Sequence, residues 1–305
     1  MPKLRILKQK VLITGCNGLL GQKLVQAFAH KYDVLGLGLA RASELPTANF
    51  HYQFCDITHR PVLLTIVKAF KPNFIINAAA FTDVDGSEEE KDLCWKVNVT
   101  GAENLAYASR IVNSHLIHIS TDYVFDGANG PYSEDSKPNP LGFYGRSKLA
   151  SENAVKSNGI DYTIVRTMVL YGTGVNTRPN FATWLIDKLA KGDRLTIVDD
   201  QFGHPTLADD LAKAILKIVE LKKSGLYHIA GSEYIDRYHF ALKVAEIFGF
   251  NADLIRPIKT VDLQQKAPRP LNSRFNMEKA FRDLQLEMSG IQDGLTQLKN
   301  QLERV

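Results

Sequence analysis

The chain has 305 residues, 45% of them hydrophobic and 23% charged, with a formal net charge of +4. That length allows two domains or one large one, and the composition excludes a disordered, collagen-like or coiled-coil chain. The charge is small and no long basic run occurs, so no nucleic-acid partner is implied.

Cys16, Cys55 and Cys94 are scattered. They form no CxxC pair or zinc-spaced cluster, which implies free thiols in a reducing compartment and no metal site. Residues 1–10 lack the apolar stretch of a signal peptide. No window approaches the ~18 uninterrupted apolar residues of a membrane span. A cytoplasmic protein without membrane contact is expected.

Residues 11–13 form a short apolar run that ends in a glycine loop. Residues 19–29 follow with helical spacing, with Leu20, Leu24, Ala27 and Phe28 on one face. Strand-like runs recur at 34–39, 50–54, 74–76 and 116–119, and helical segments at 62–70 and 87–112. Short apolar strands separated by helices indicate βαβ units and a doubly wound parallel α/β sheet of Rossmann type. Beyond it, helices are expected at 147–155, 181–191, 207–221, 238–248 and 291–302, with strands at 162–165 and 226–229. The expected organisation is a dinucleotide-binding domain over 1–165, to which 200–230 returns. A smaller carboxy-terminal substrate lobe is then built from 166–199 and 231–305.

The loop Gly15-Cys16-Asn17-Gly18-Leu19-Leu20-Gly21 joins the first strand to the first helix. Gly15 permits the tight turn, Gly18 lets a pyrophosphate approach the backbone, and Gly21 lets the helix pack close to the sheet. The free N–H groups of the helix N-terminus complete an anion site. The spacing GxxGxxG resembles that of the extended short-chain dehydrogenase/reductase superfamily.

The second strand ends without a carboxylate, and Arg41 follows. An arginine there suits a 2′-phosphate, which favours NADPH and leaves NADH open. Asp56 and Ile57 resemble the pair that holds adenine in that superfamily. A helix-capping role for Asp56 is the alternative. Ala78, Ala79 and Ala80 end the fourth strand with small side chains beside which a cofactor can lie. Asn98 falls in mid-helix, an unfavourable place by propensity, and a position facing the cofactor would account for it.

Tyr144 and Lys148 form YxxxK, one helical turn apart and on one face. A lysine ammonium near the phenol favours phenolate and lowers a pKa of ~10, which would make tyrosine a general acid/base near neutrality. The lysine also suits a nicotinamide ribose. Ser120-Thr121-Asp122 closes the fifth strand, at the end that faces the ligand crevice in such sheets, and the Thr121 hydroxyl suits a substrate carbonyl.

Particular strings go further. Asn77-Ala-Ala-Ala-Phe-Thr-Asp-Val-Asp85, Ser120-Thr-Asp-Tyr-Val-Phe-Asp-Gly127, Tyr144-Gly-Arg-Ser-Lys-Leu149, Asp200-Gln-Phe-Gly-His-Pro-Thr206 and Arg269-Pro-Leu-Asn-Ser273 resemble the dTDP-4-dehydrorhamnose reductase family. The resemblance runs over about residues 10–285. It implies NAD(P)H-dependent reduction of the 4-keto group of a nucleotide-linked deoxysugar. Tyr144 would be the proton donor, Lys148 the ribose ligand, Thr121 the carbonyl orienter, and Asp122 a neighbour of the sugar. Arg269 would pair with a nucleotide phosphate. A homodimer is compatible with this class.

The sequence departs from the family at Arg166-Thr-Met-Val169, where the family carries RTSW. Val169 removes an aromatic surface from the sugar pocket. Two alternatives stay open. One is a nucleotide-sugar epimerase or dehydratase of the same superfamily. The other is a non-catalytic NADP-binding protein like the regulatory subunit of methionine adenosyltransferase.

Overall fold

The computed structural model describes residues 8–43, 45 and 50–303; residues 1–7, part of the segment weighed above as a signal peptide, lie outside the described residues. Seven strands build the central sheet: β1 (Lys10–Thr14), β2 (Asp33–Gly38), β3 (Phe50–Phe54), β4 (Phe74–Asn77), β5 (His115–Thr121), β6 (Tyr162–Thr167) and β7 (Gly225–His228). Their order across the sheet is 7-6-5-4-1-2-3. All neighbouring pairs are parallel. The longer helices are α1 (Leu19–Phe28), α2 (Arg60–Phe70), α3 (Gly101–Val112), α4 (Phe143–Lys156), α5 (Phe181–Ala190), α6 (Ala208–Glu220), α7 (Arg237–Phe248) and α8 (Ile291–Leu302).

Side chains alternate across a strand, so β1 serves both faces of the sheet. Val11 and Ile13 join Leu24 and Phe28 of α1 and Leu211 and Ile215 of α6. Leu12 joins Leu63 of α2, Leu105 of α3 and Val155 of α4 on the other face. Burial on both faces is why parallel strands read as unbroken apolar runs. The strand order reverses between β1 and β4. Such a switch point opens a crevice at the carboxyl ends of the strands, where ligands bind.

Residues 208–228 return to this sheet, α6 packing on α1 and β7 pairing with β6. A separate core gathers Leu185 and Leu189 of α5, Phe240 and Val244 of α7, and Leu295 and Leu298 of α8. Leu195–Val198 pairs there in parallel with Ile255–Ile258.

The long helix expected over 87–112 is corrected. One turn at Gly86–Glu89 is followed by a break at Glu90, and helix resumes at Lys91–Trp95. The turn Lys96–Thr100 is a π-helix, and the Gly101 N–H reaches back five residues to the Lys96 carbonyl before α3 continues. Periodicity of 3.6 cannot register a single widened turn. Among the described residues no helix is long and apolar enough to cross a membrane.

Candidate active site

The glycine loop sits at the switch point and is shaped by close contacts. Gly15 has φ of +67°, and a Cβ there would lie 2.8 Å from the Ala78 carbonyl oxygen. A Cβ on Gly21 would lie 2.1 Å from the Gly15 oxygen. Gly18 is the N-cap residue of α1, and no side chain caps that helix. The first intrahelical bond runs from Gln22 N–H to the Gly18 carbonyl. The amides of Leu19, Leu20 and Gly21 therefore have no acceptor in the helix, the arrangement that receives an oxyanion. Gln22, which motif spacing did not single out, ties this loop to a distant one. Its side chain donates to Asn17 O at 2.9 Å and Val175 O at 2.7 Å, and accepts from Val175 N at 2.9 Å.

The rim of the crevice is built as follows. Arg41 is exposed just beyond β2. Asp56 is half-buried and accepts from Thr58 N–H at 2.8 Å. The capping alternative for Asp56 is corrected, because His59 occupies the N-cap position of α2. Ile57 is buried, and a Cβ on Gly101 would strike its Cδ1 at 2.6 Å. Ala78, Ala79 and Ala80 are half-buried in a row, and Ala79 N–H donates to the Thr14 hydroxyl.

The expectation for Asn98 is corrected. It is buried and its polar atoms are engaged within the protein. Oδ1 accepts from Phe81 N–H at 2.8 Å, and Nδ2 donates to Phe81 O and to Ser147 Oγ at 2.9 Å. Asn98 thus fastens the end of the alanine loop to the helix that carries Tyr144 and Lys148. The π-helical turn places it to do so.

Thr121 ends β5, and Tyr144 stands in the first turn of α4. The Tyr144 phenol lies near the Thr121 side chain and packs edge-on to Tyr123, with ring centroids 5.7 Å apart. Burial pushes the phenol above its ordinary pKa, and the charge of Asp122 adds to this. Lys148 is 2% exposed and its Nζ donates to the Ile119 carbonyl at 2.7 Å. The expected lowering of the tyrosine pKa by Lys148 is therefore corrected. The ammonium turns to a strand carbonyl, and desolvation dominates the phenol. A phenol held protonated suits proton donation to a carbonyl being reduced.

Two buried networks hold this trio. In the first, Thr14 Oγ1 donates to Asn77 Oδ1, and Asn77 Nδ2 meets His118 Nδ1 at 3.0 Å. His118 Nε2 meets Ser151 Oγ, which donates to the Lys148 carbonyl. The serine proton is thus committed, so His118 carries its hydrogen on Nε2 and accepts at Nδ1. Burial keeps that ring neutral. In the second, Glu152, on the same face of α4 as Tyr144 and Lys148, takes a bidentate pair from Arg166 at 2.8 and 2.7 Å. It also accepts from Ser120 Oγ at 2.6 Å. Bidentate pairs fix geometry as well as charge.

Burial lowers the Lys148 pKa from 10.5 to about 8. A cation with a depressed folded pKa weighs against the fold at neutral pH, and the penalty lifts as pH rises through 8 toward 10.5, because there the unfolded chain binds more protons. At ~1.4 kcal/mol per unit this amounts to roughly 3 kcal/mol. In the cofactor-free protein, urea unfolding of wild type and Lys148→Met is expected to show the wild type gaining on the variant across that window. A constant gap between them would refute the buried-cation reading.

Asp122 is buried and its carboxylate is occupied. Ser273 Oγ donates to Oδ2 at 2.6 Å, and Thr121 Oγ1 to Oδ1 at 3.1 Å. Asp122, Val169 and Ser273 line one cleft. Val169 holds φ of +45°, an outlier for a β-branched residue that costs about 1–3 kcal/mol. The expectation for Arg269 is corrected: its guanidinium is bidentate to Asp85 at 2.7 and 2.8 Å and also bonds the Ala267 carbonyl. A phosphate would have to compete with a carboxylate already in place.

A parallel sheet ordered 7-6-5-4-1-2-3, with a glycine loop at its switch point and Thr121, Tyr144 and Lys148 beside it, defines a Rossmann-type dehydrogenase/reductase. A family profile described as "RmlD substrate binding domain" matches residues 9–304, and the chain belongs to this family. The dTDP-4-dehydrorhamnose reductase of Aggregatibacter actinomycetemcomitans is 34% identical over 304 residues, covering 95% of this chain and 98% of that protein. Methionine adenosyltransferase 2 subunit beta of Xenopus tropicalis is 33% identical over 278 residues, covering 89% and 81%. Among solved structures, dTDP-4-dehydrorhamnose reductase from Bacillus anthracis strain Ames in complex with NADP matches with a TM-score of 0.87 and 32% identity, covering 97% of this chain and all of that one.

Proposed function

We propose that the protein reduces the 4-keto group of a nucleotide-linked deoxysugar with NADPH, as its dTDP-4-dehydrorhamnose reductase relatives are named for doing. The observation that carries this is the meeting of Thr121, at the end of β5, with Tyr144 in the first turn of α4, one turn before the buried Lys148.

The chain fits a dinucleotide, because α1 opens with uncapped amides and the Gly15 and Gly21 cradle has no room for a Cβ. When bound, NADPH supplies the hydride. The amides at 19–21 would hold its pyrophosphate, Ala78–Ala80 would lie along it, Asp56 and Ile57 would flank the adenine, and Lys148 would meet the ribose. Thr121, whose hydroxyl donates to Asp122 at 3.1 Å, would turn that hydrogen to the carbonyl oxygen of the sugar and orient it. Tyr144 delivers its proton to that oxygen as negative charge develops there. Residues 1–165 and 200–230 would form the cofactor half, and 166–199 and 231–305 the sugar half.

The test is NADPH oxidation, followed by absorbance, with dTDP-4-keto-6-deoxyhexose beside other nucleotide ketosugars. Turnover with at least one is expected. Because Arg41 is exposed, a pair with a 2′-phosphate is worth about 1 kcal/mol at most, so NADPH should bind only about two- to fivefold more tightly than NADH. No oxidation with any substrate would favour the partner-protein role suggested by the methionine adenosyltransferase relative.

A further inference from the structure

Arg237 opens α7 and lines the same cleft as Asp122, Val169, Gln201 and Ser273. Its backbone N–H donates to the Gln201 carbonyl at 3.1 Å, and its guanidinium lies 4.8 Å from the centre of the Phe181 ring. Among the described residues no carboxylate forms an ion pair with it. The nearby acids are already used. Asp122 takes Ser273 and Thr121. Asp236 caps α7 and binds the His239 ring at 2.6 Å. Asp85 is bidentate to Arg269. The charge of Asp122 favours the Arg237 cation and that of Arg269 disfavours it.

A half-buried guanidinium carries five donors in a planar fork and no acceptor. A fork that lies over an aromatic ring, lines a cleft and lacks a carboxylate of its own matches the two oxygens of an oxyanion. We infer that Arg237 receives an oxyanion of the substrate, either a phosphate of the nucleotide carrier or a carboxylate on the sugar. This rests on the nucleotide-sugar reading of the cleft.

The experiment uses the full chain with saturating NADP⁺ and measures calorimetric binding of thymidine, dTDP, UDP-glucose and UDP-glucuronate to wild type, Arg237→Met and Arg237→Lys. Unchanged NADP⁺ affinity shows that the variants fold. If the oxyanion is the carrier phosphate, Arg237→Met weakens dTDP and both UDP-sugars together, roughly ten- to hundredfold, and leaves thymidine alone. If it is a sugar carboxylate, only UDP-glucuronate weakens. Arg237→Lys keeps the charge and loses the fork, so it falls between. Equal binding of all four ligands by wild type and Arg237→Met overturns the assignment alone. A wild type that binds none of them overturns it together with the nucleotide-sugar reading.

Discussion

Tyr144→Phe is expected to lower turnover by roughly 10²–10⁴-fold, the usual worth of a positioned general acid, while NADPH affinity stays within about twofold. The variant keeps the aromatic body that packs on Tyr123 and loses only the phenolic hydroxyl near Thr121. Burial and the charge of Asp122 raise the tyrosine pKa. The acid form is therefore retained through neutral pH, and the wild-type reduction rate should show no loss from tyrosine ionisation below about pH 10. Single-turnover absorbance traces check both points. Turnover in the variant equal to wild type would remove Tyr144 from the chemistry.

The second large effect is at the other end of the crevice. Gly21→Ala places a methyl 2.1 Å from the Gly15 oxygen and 2.6 Å from Cys16 Cα. Both obstacles are backbone, so no side chain can swing aside. Either α1 or the loop must move, and overpacking of this kind costs about 1–3 kcal/mol or more. The moving parts include the uncapped amides of Leu19 and Leu20. NADPH affinity should drop by at least about tenfold alongside a lowered melting temperature, with fluorescence titration and thermal unfolding as the measurements. Full cofactor affinity in the alanine variant would show that the close approach is dispensable.

The sheet was legible because strands buried on both faces leave unbroken apolar runs, as at 11–13 and 74–76. The glycine loop and Tyr144-x-x-x-Lys148 were legible because their chemistry depends on short spacings. Contacts between residues far apart in sequence were not. Nothing in the local pattern says that Arg269 is already paired with Asp85, or that Lys148 points to the Ile119 carbonyl instead of the phenol. Arg237 escaped notice because its neighbours Phe181, Gln201 and Asp122 come from three separate segments. Glu152 could have been found. It continues the four-residue stagger of Tyr144 and Lys148 along α4, and a buried-face glutamate asks for a cation, which Arg166 supplies.

The widened turn at Lys96–Thr100 has a consequence for how this helix can change over time. Each residue advances an α-helix by about 100°. One residue beyond the normal turn therefore rotates everything after it by that angle. Upstream, Cys94 is phased to Ser147 on α4, which Asn98 within the turn also reaches; downstream, Leu105 and Ala108 are phased to the core beneath the sheet. Removing any one residue of the five would leave a more regular helix with one of its halves facing the wrong neighbour. The irregularity lets a single rod address two surfaces at once, so a length change here is far less tolerable than a side-chain change.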